Sequence, residues 1–278
     1  MPRPICGIGL GLRRPFAEEL LHTERRVDFL EITPENWVTY GGRRRQLLER
    51  CLERWPTVAH SVSLSVGGPD PLDERFLSAL RDLSARMDAP FFSDHVCYST
   101  ALGAHLHDLL PLPFTEEAVA HVAARAQQAQ EAVGRPLVLE NATFYAHMPG
   151  GEMDEADFLC AVLEQSGCSL LLDVNNVYVN SLNHGFAPRA FIDRMPLDRV
   201  SYLHVAGHTR QADVVIDTHI GPVVDDVWAL YRYTLRRAGR LIPTLVEWDQ
   251  EIPALEVVLE EVERARTEAA RALAQEAA

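Results

Sequence analysis

Residues 170–179 read LLLDVNNVYV, an aliphatic run of the kind that fills a buried strand, interrupted by one carboxylate and two amides. The β-branched and aliphatic residues from Ser169 to Val179 predict a strand inside a protein, covered on both faces. Burying an ionised carboxylate without a partner costs several kcal/mol or more, so Asp173 needs a compensating group.

The pattern recurs on either side. Strand-like runs begin at Ile5, Val27, Thr57, Phe91, Leu137, Ser169, Val200 and Pro243. Between them lie amphipathic helical stretches such as RRRQLLERCLERW (43–55), DERFLSALRDLSARM (73–87), EEAVAHVAARAQQAQEAVG (116–134), DEADFLCAVLEQSG (154–167) and VWALYRYTLRRAG (227–239). Thr115 with Glu116 and Glu117 reads as a helix start, and Gly134, Gly167 and Gly239 read as stops. The tail from Glu256 to Ala278 reads as the outer face and end of the last helix. Eight βα units predict an α/β fold, a single-domain (β/α)8 or TIM barrel over residues 1–278. An open doubly wound sheet would normally carry a glycine-rich phosphate loop after its first strand, but GIGLGL (7–12) lacks the third glycine and runs into arginines.

Composition removes several functions. No apolar run approaches the ~20 residues of a membrane span, and MPRPICGIGLGLRRPF lacks the layout of a secretory signal, so the expectation is no membrane and a cytoplasmic location. The five cysteines (Cys6, Cys51, Cys97, Cys160, Cys168) are odd in number and form no CxxC pair, which argues against a disulfide framework or a thiolate metal site. Cys97 is read as a buried thiol. A net charge of −14 would repel a phosphate backbone, so nucleic acid is not an expected partner. All 26 basic residues are arginine; with no lysine, Schiff-base chemistry is excluded.

In such a barrel the active site lies at the C-terminal ends of the strands. There the sequence places Glu31, His60, Asp94 and His95, Glu140 and Asn141, Asp173 with Asn175 and Asn176, His204 and His208, Glu247 and Asp249, with Asp217 and His219 in the following tripeptide DTH. One strand-end histidine is ordinary, and one carboxylate often caps a helix. Seven strands of eight ending this way would crowd like charges around one opening unless cations sat among them. Histidine plus carboxylate without thiolate is a ligand set for zinc, manganese or non-haem iron. His105, His107, His121 and His147 are read as solvated loop or helix residues.

The segments DFLEITPENW, HSVSLSVGG, SDHVCYS, VLENAT, LLLDVNNVYVNSLNHG, YLHVAGH, DTH and VEWD, in this order, resemble the multinuclear non-haem iron-dependent oxidative enzymes, barrels related to xylose isomerase and endonuclease IV. The resemblance implies two or three iron ions per chain and dioxygen as co-substrate. It also implies a cysteine-containing, ribosomally made precursor peptide as substrate and, in some members, a companion peptide-presenting protein. Carried over by motif, His60, His95 and Glu140 would hold one iron, and Glu140 would bridge to a second held by Asp173, His204 and Glu247. A third position would use Asp217 and His219, with Asn175 as a weak ligand, while Asn141, Asn176 and His208 would support the ligands. This chain reads DTHIGPV where other members often have a second Asp-His pair.

Two other readings stay open. A metal-dependent hydrolase or isomerase could use the same barrel, although isomerases of this shape usually want a lysine and a DNA phosphodiesterase a basic surface. A non-catalytic metal-binding protein would need no open coordination position. If a peptide is bound directly, the all-arginine basic set predicts guanidinium forks gripping its carboxylates.

Overall fold

Eight parallel strands close into the expected barrel in the computed structural model, which describes residues 2–38 and 41–274. The barrel strands are β1 (Ile8–Gly11), β2 (Leu30–Ile32), β3 (Thr57–His60), β4 (Phe92–His95), β5 (Leu137–Glu140), β6 (Ser169–Asp173), β7 (Val200–Ala206) and β8 (Thr244–Glu247). They run in sequence order around the barrel, and β1 completes the ring by pairing Ile8 with Thr244 and Leu10 with Leu30. The helix signals are also realised. Thr115 accepts a hydrogen bond from Ala118 N at the start of Glu116–Val133, and Gly134, Gly167 and Gly239 close three helices with positive φ. The last helix spans Leu255–Ala274; residues 275–278 of the predicted tail lie outside the described residues.

The opening stretch is corrected in its second half. The strand stops at Asp173, and Val174–His184 is a helix. The Asp173 side chain accepts a hydrogen bond from Asn176 N at 2.7 Å, capping the helix start, and Gly185 ends it with φ +74. Tertiary burial outweighs the strand preference of the valines, because Val174, Val177 and Val179 are buried from a helix as well as they would be from a strand.

Two antiparallel hairpins were not foreseen: Tyr98–Ala101 with Ala104–Leu110 after β4, and Thr209–Arg210 with Val215–Ile216 after β7. His105 and His107 therefore stand on an exposed strand rather than in a loop or helix.

The barrel interior follows from the two-residue period of a strand, whose alternate side chains point the same way. Phe29, Val58, Phe91, Val138, Leu171, Tyr202 and Leu245 form one apolar layer inside the barrel with Ile5. Two residues further along each strand stand Glu31, His60, Ser93, Glu140, Asp173, His204 and Glu247, all buried. The dry layer is the floor on which the polar layer rests. β1 contributes glycine: a Cβ on Gly9 would lie 2.7 Å from the Phe29 ring, and one on Gly11 would lie 2.6 Å from the Arg13 guanidinium. The larger apolar core lies between the barrel and its helices.

Glu155 is a carboxylate buried away from this layer. Among the described residues Glu155 bonds Asn180 Nδ2, at 3.2 and 3.3 Å, and burial pushes its pKa from 4.5 up to about 8. Between those values the folded chain holds a proton that the unfolded chain has released, so this group's contribution to stability falls as pH rises through the window. Glu155→Gln removes the titration. It should flatten that slope and gain on the order of 2 kcal/mol over the parent at pH 8, with little change near pH 4.5, in urea unfolding at the two pH values.

Candidate metal centre

Glu140, at the end of β5, is the point on which the polar layer converges. Its Oε2 lies 3.0 Å from His60 Nε2 and 3.2 Å from His95 Nε2, and its Oε1 lies 3.6 Å from His204 Nδ1. On the far side, His204 Nδ1 is 2.9 Å from Glu247 Oε2 and 3.9 Å from Asp173 Oδ2. Among the described residues three sets of donor atoms gather closely enough to hold an ion: His60 with Glu140 and His204; Glu31 with His204 and Glu247; Asp173 with His219 and Glu247. Glu31 reaches His204 from behind, through Nε2 at 3.1 Å, and so competes for the nitrogen that faces away from Glu140.

The DTH tripeptide folds over this group. His219 adopts φ +50, an unusual conformation for a non-glycine residue, which turns Nδ1 to within 3.4 Å of Glu247 Oε2 and 2.9 Å of Asp249 Oδ2. Its Nε2 lies 2.8 Å from Asp217 Oδ1, an oxygen that also accepts from Asn175 Nδ2 at 2.8 Å. Asn175 Oδ1 is occupied by His208 Nδ1 at 2.8 Å. His219 thus stands with Asp173 and Glu247, while Asn175 presents an N–H to Asp217 and its oxygen to His208. Asn141 and Asn176 lock the backbone below: Asn141 donates to Asp173 O and accepts from Asp173 N, and Asn176 Nδ2 donates to Asn141 O.

Among the described residues, the buried atoms Glu140 Oε2, Asp173 Oδ2, His204 Nδ1 and Glu247 Oε2 here make no hydrogen bond of acceptable geometry. Acceptors packed this closely without donors are what a cation between them would satisfy, and nitrogen and carboxylate donors suit a divalent transition metal. Without an ion the carboxylates lean on protonated imidazoles. Burial works against charge on His60, yet Glu140 and Glu31 overcome it and raise the pKa to about 9. Burial would likewise raise Glu140, but His95, His60 and His204 hold it low; Asp173 is driven upward by burial and by Glu140 beside it.

A cavity of about 490 Å³ opens above these groups. Its wall continues the strand period by one more step, with Thr33, Val62, His95, Ala142 and Asp249, and is completed by DTH, Tyr145 and the hairpin residues His105, His107 and Asp108. Among the described residues lining it there is no arginine, so the expected guanidinium forks do not stand here. Arg13 lies behind the wall, donating to Glu247 Oε1 at 3.3 Å, to Trp248 O at 3.1 Å and to Asp249. Sequence reading missed Arg13, Ser93 and Tyr202; the last two stand two residues before His95 and His204, the same-face spacing that would have found them.

Fold and site together define a (β/α)8 barrel with a buried histidine–carboxylate cluster that could hold metal. The chain belongs to the family of the RiPP precursor modification enzyme MbnB/TglH/ChrH, whose model matches residues 7–270. A UPF0276 protein of Acinetobacter baylyi is 47% identical over 251 residues, covering 90% of this chain and 86% of its own length. One from Shewanella loihica is 44% identical over 259 residues, covering 92% of each. Among solved structures, D-psicose 3-epimerase from Clostridium cellulolyticum superposes with TM-score 0.64 at 11% identity, over 96% of this chain and 99% of that one. Endonuclease IV from Thermus thermophilus does so with TM-score 0.60 at 17% identity, over 96% and 100%. These two show the shared barrel. Among the described residues no helix is long and apolar enough to cross a membrane.

Proposed function

We propose that this protein is a cytoplasmic, multinuclear non-haem iron enzyme that uses dioxygen to modify cysteine in a ribosomally made precursor peptide. The observation that carries the reading is the set of orphaned acceptors around Glu140, more than one ion can use, lying under a cavity open to a substrate. His60, His95 and Glu140 would hold one ion; Asp173, His204 and Glu247 would hold a second, with Glu140 between the two. His219 and Asp217 cover the second position, and whether they complete a third is read from the metal count. Iron held here would supply redox activation of dioxygen and a position that the substrate cysteine could take as thiolate, a soft ligand.

The protein's own part is positioning. Asn141 and Asn176 fix the backbone that carries Asp173, and Arg13 holds Glu247 and Asp249 against the wall. The cavity mouth, walled by Asp108, Asp217 and Asp249 and lacking arginine among its described lining, fits a peptide better than a phosphodiester and leaves room for a companion protein to deliver it.

Protein purified anaerobically after iron-replete expression should carry two or more iron equivalents per chain. Mixed with dioxygen and a cysteine-containing precursor peptide from a neighbouring gene, with and without a companion protein, it should change the peptide mass, and free cysteine should be a poor substitute. At most one metal per chain counts against the multinuclear centre. An unchanged peptide mass in every combination, together with turnover of a sugar or phosphodiester, replaces the oxidase with the isomerase or hydrolase reading. Two irons with neither activity leaves a metal-binding protein.

A further inference from the structure

Beneath the metal-facing atoms, five polar side chains form a continuous buried chain. His60 Nδ1 lies 3.0 Å from Ser93 Oγ; Ser93 Oγ lies 2.6 Å from the Tyr202 hydroxyl; the Tyr202 hydroxyl lies 2.8 Å from Glu31 Oε2; and the same oxygen lies 3.1 Å from His204 Nε2. His60 is 4% exposed and the other four 1% or less, so water does not complete these bonds.

The direction of every bond follows from the donor inventory. A carboxylate only accepts, so at Glu31 both the Tyr202 O–H and a His204 Nε2–H must donate. Tyr202 has then used its one proton, so at 2.6 Å the Ser93 hydroxyl donates to it; the alternative acceptor, Ala59 O, is farther at 3.3 Å. Ser93 in turn accepts from a His60 Nδ1–H. The outcome differs for the two rings. His60 is left with its lone pair on Nε2, the atom 3.0 Å from Glu140; His204 is left with its lone pair on Nδ1, the atom between Glu247 and Glu140. A flipped ring or the other tautomer would present an N–H to the cluster at either site.

We propose that Tyr202 is a positioning residue which, through Ser93 on one side and Glu31 on the other, fixes the tautomers of His60 and His204 together and so sets both metal positions from below. The inference rests on the metal-centre reading above. The Tyr202 ring is built into the apolar floor, 5.4 Å from the Phe91 ring centroid, so its hydroxyl cannot swing away. Three strands, β2, β4 and β7, supply the connecting groups from inward positions. The relay and the Glu140 carboxylate thus join the same two histidines from opposite sides, and neither imidazole can turn without disturbing the other.

Tyr202→Phe keeps the ring and removes only the hydroxyl. The test uses full-length protein with 15N-labelled histidine, loaded with zinc as a diamagnetic probe and observed by long-range 1H–15N correlation spectra and zinc titration. The parent should bind at least two zinc ions, with His60 protonated on Nδ1 and His204 protonated on Nε2. Tyr202→Phe should weaken zinc binding at both positions by about tenfold or more and shift or broaden both histidine patterns. Ser93→Ala, which cuts the chain nearer one end, should act chiefly on His60, and it carries the test if the first variant does not fold. Two zinc ions bound with His204 protonated on Nδ1, or parental affinities and unchanged histidine signals in the variants, overturn the relay. A parent that binds fewer than two zinc ions overturns the metal-centre reading itself, and the joint setting of two positions with it.

Discussion

Glu140→Ala should empty both principal metal positions, and purified anaerobically it should retain well under one iron per chain. The carboxylate has one oxygen within 3.0 and 3.2 Å of the His60 and His95 nitrogens and the other within 3.6 Å of His204, so under the proposed assignment its removal would take a ligand from two ions at once. It also leaves three imidazoles facing one another, with His60 and His95 ring centroids 4.6 Å apart and His60 and His204 5.2 Å apart. Peptide modification should fall by more than about 100-fold, beyond the range that groups touching only a ligand's far side usually command. His208→Ala is the matched control. His208 bonds Asn175 and, among the bonds of the described residues, none of the gathered donor atoms, so this variant should keep its iron and lose about tenfold at most. Metal analysis of the two proteins side by side decides the matter, and equal losses would mean that Glu140 does not bridge.

How much of this site was legible beforehand follows from strand geometry. A strand repeats every two residues, so a polar residue closing each apolar run is visible in the sequence, and Glu31, His60, Glu140, Asp173, His204 and Glu247 could be aligned at one level of a barrel before any coordinates. Four kinds of information were not visible in this way. The helix Val174–His184 was hidden because VNNVYV suits a strand by propensity; Asp173 three residues before Asn176, with Gly185 beyond, was the overlooked capping signal. Ser93 and Tyr202 were passed over because serine and tyrosine do not look like metal ligands, and their role depends on distances across the barrel. Arg13 is 234 residues from Glu247 and meets it only because β1 and β8 close the ring. The turn at His219 depends on a positive φ that a non-glycine residue does not announce, and it decides which carboxylates the ring faces.

Metal should also be a large part of what holds the molecule together. The centre buries Glu31, Glu140, Asp173 and Glu247 beside His60, His95 and His204, none more than 6% exposed. Buried groups of this kind are costly unless paired; among the described residues protonated imidazoles hold Glu140 charged when metal is absent, whereas Asp173 is driven upward by burial and by Glu140 beside it. A ligand that binds only the folded chain stabilises it by about 4 kcal/mol when present at about a thousand times its dissociation constant. For a chain somewhat larger than 250 residues, each kcal/mol moves Tm by about 2 °C. Anaerobic ferrous ion at that excess should therefore raise Tm by about 8 °C for each occupied position, and chelation should reverse the gain. Glu140→Ala should lose nearly all of the shift, whereas Glu155→Gln, whose carboxylate bonds Asn180 outside the centre, should keep it. Scanning calorimetry of the three proteins with and without ferrous ion makes the comparison; a metal-induced shift of the same size in Glu140→Ala would show that the stabilising ion sits somewhere other than this cluster.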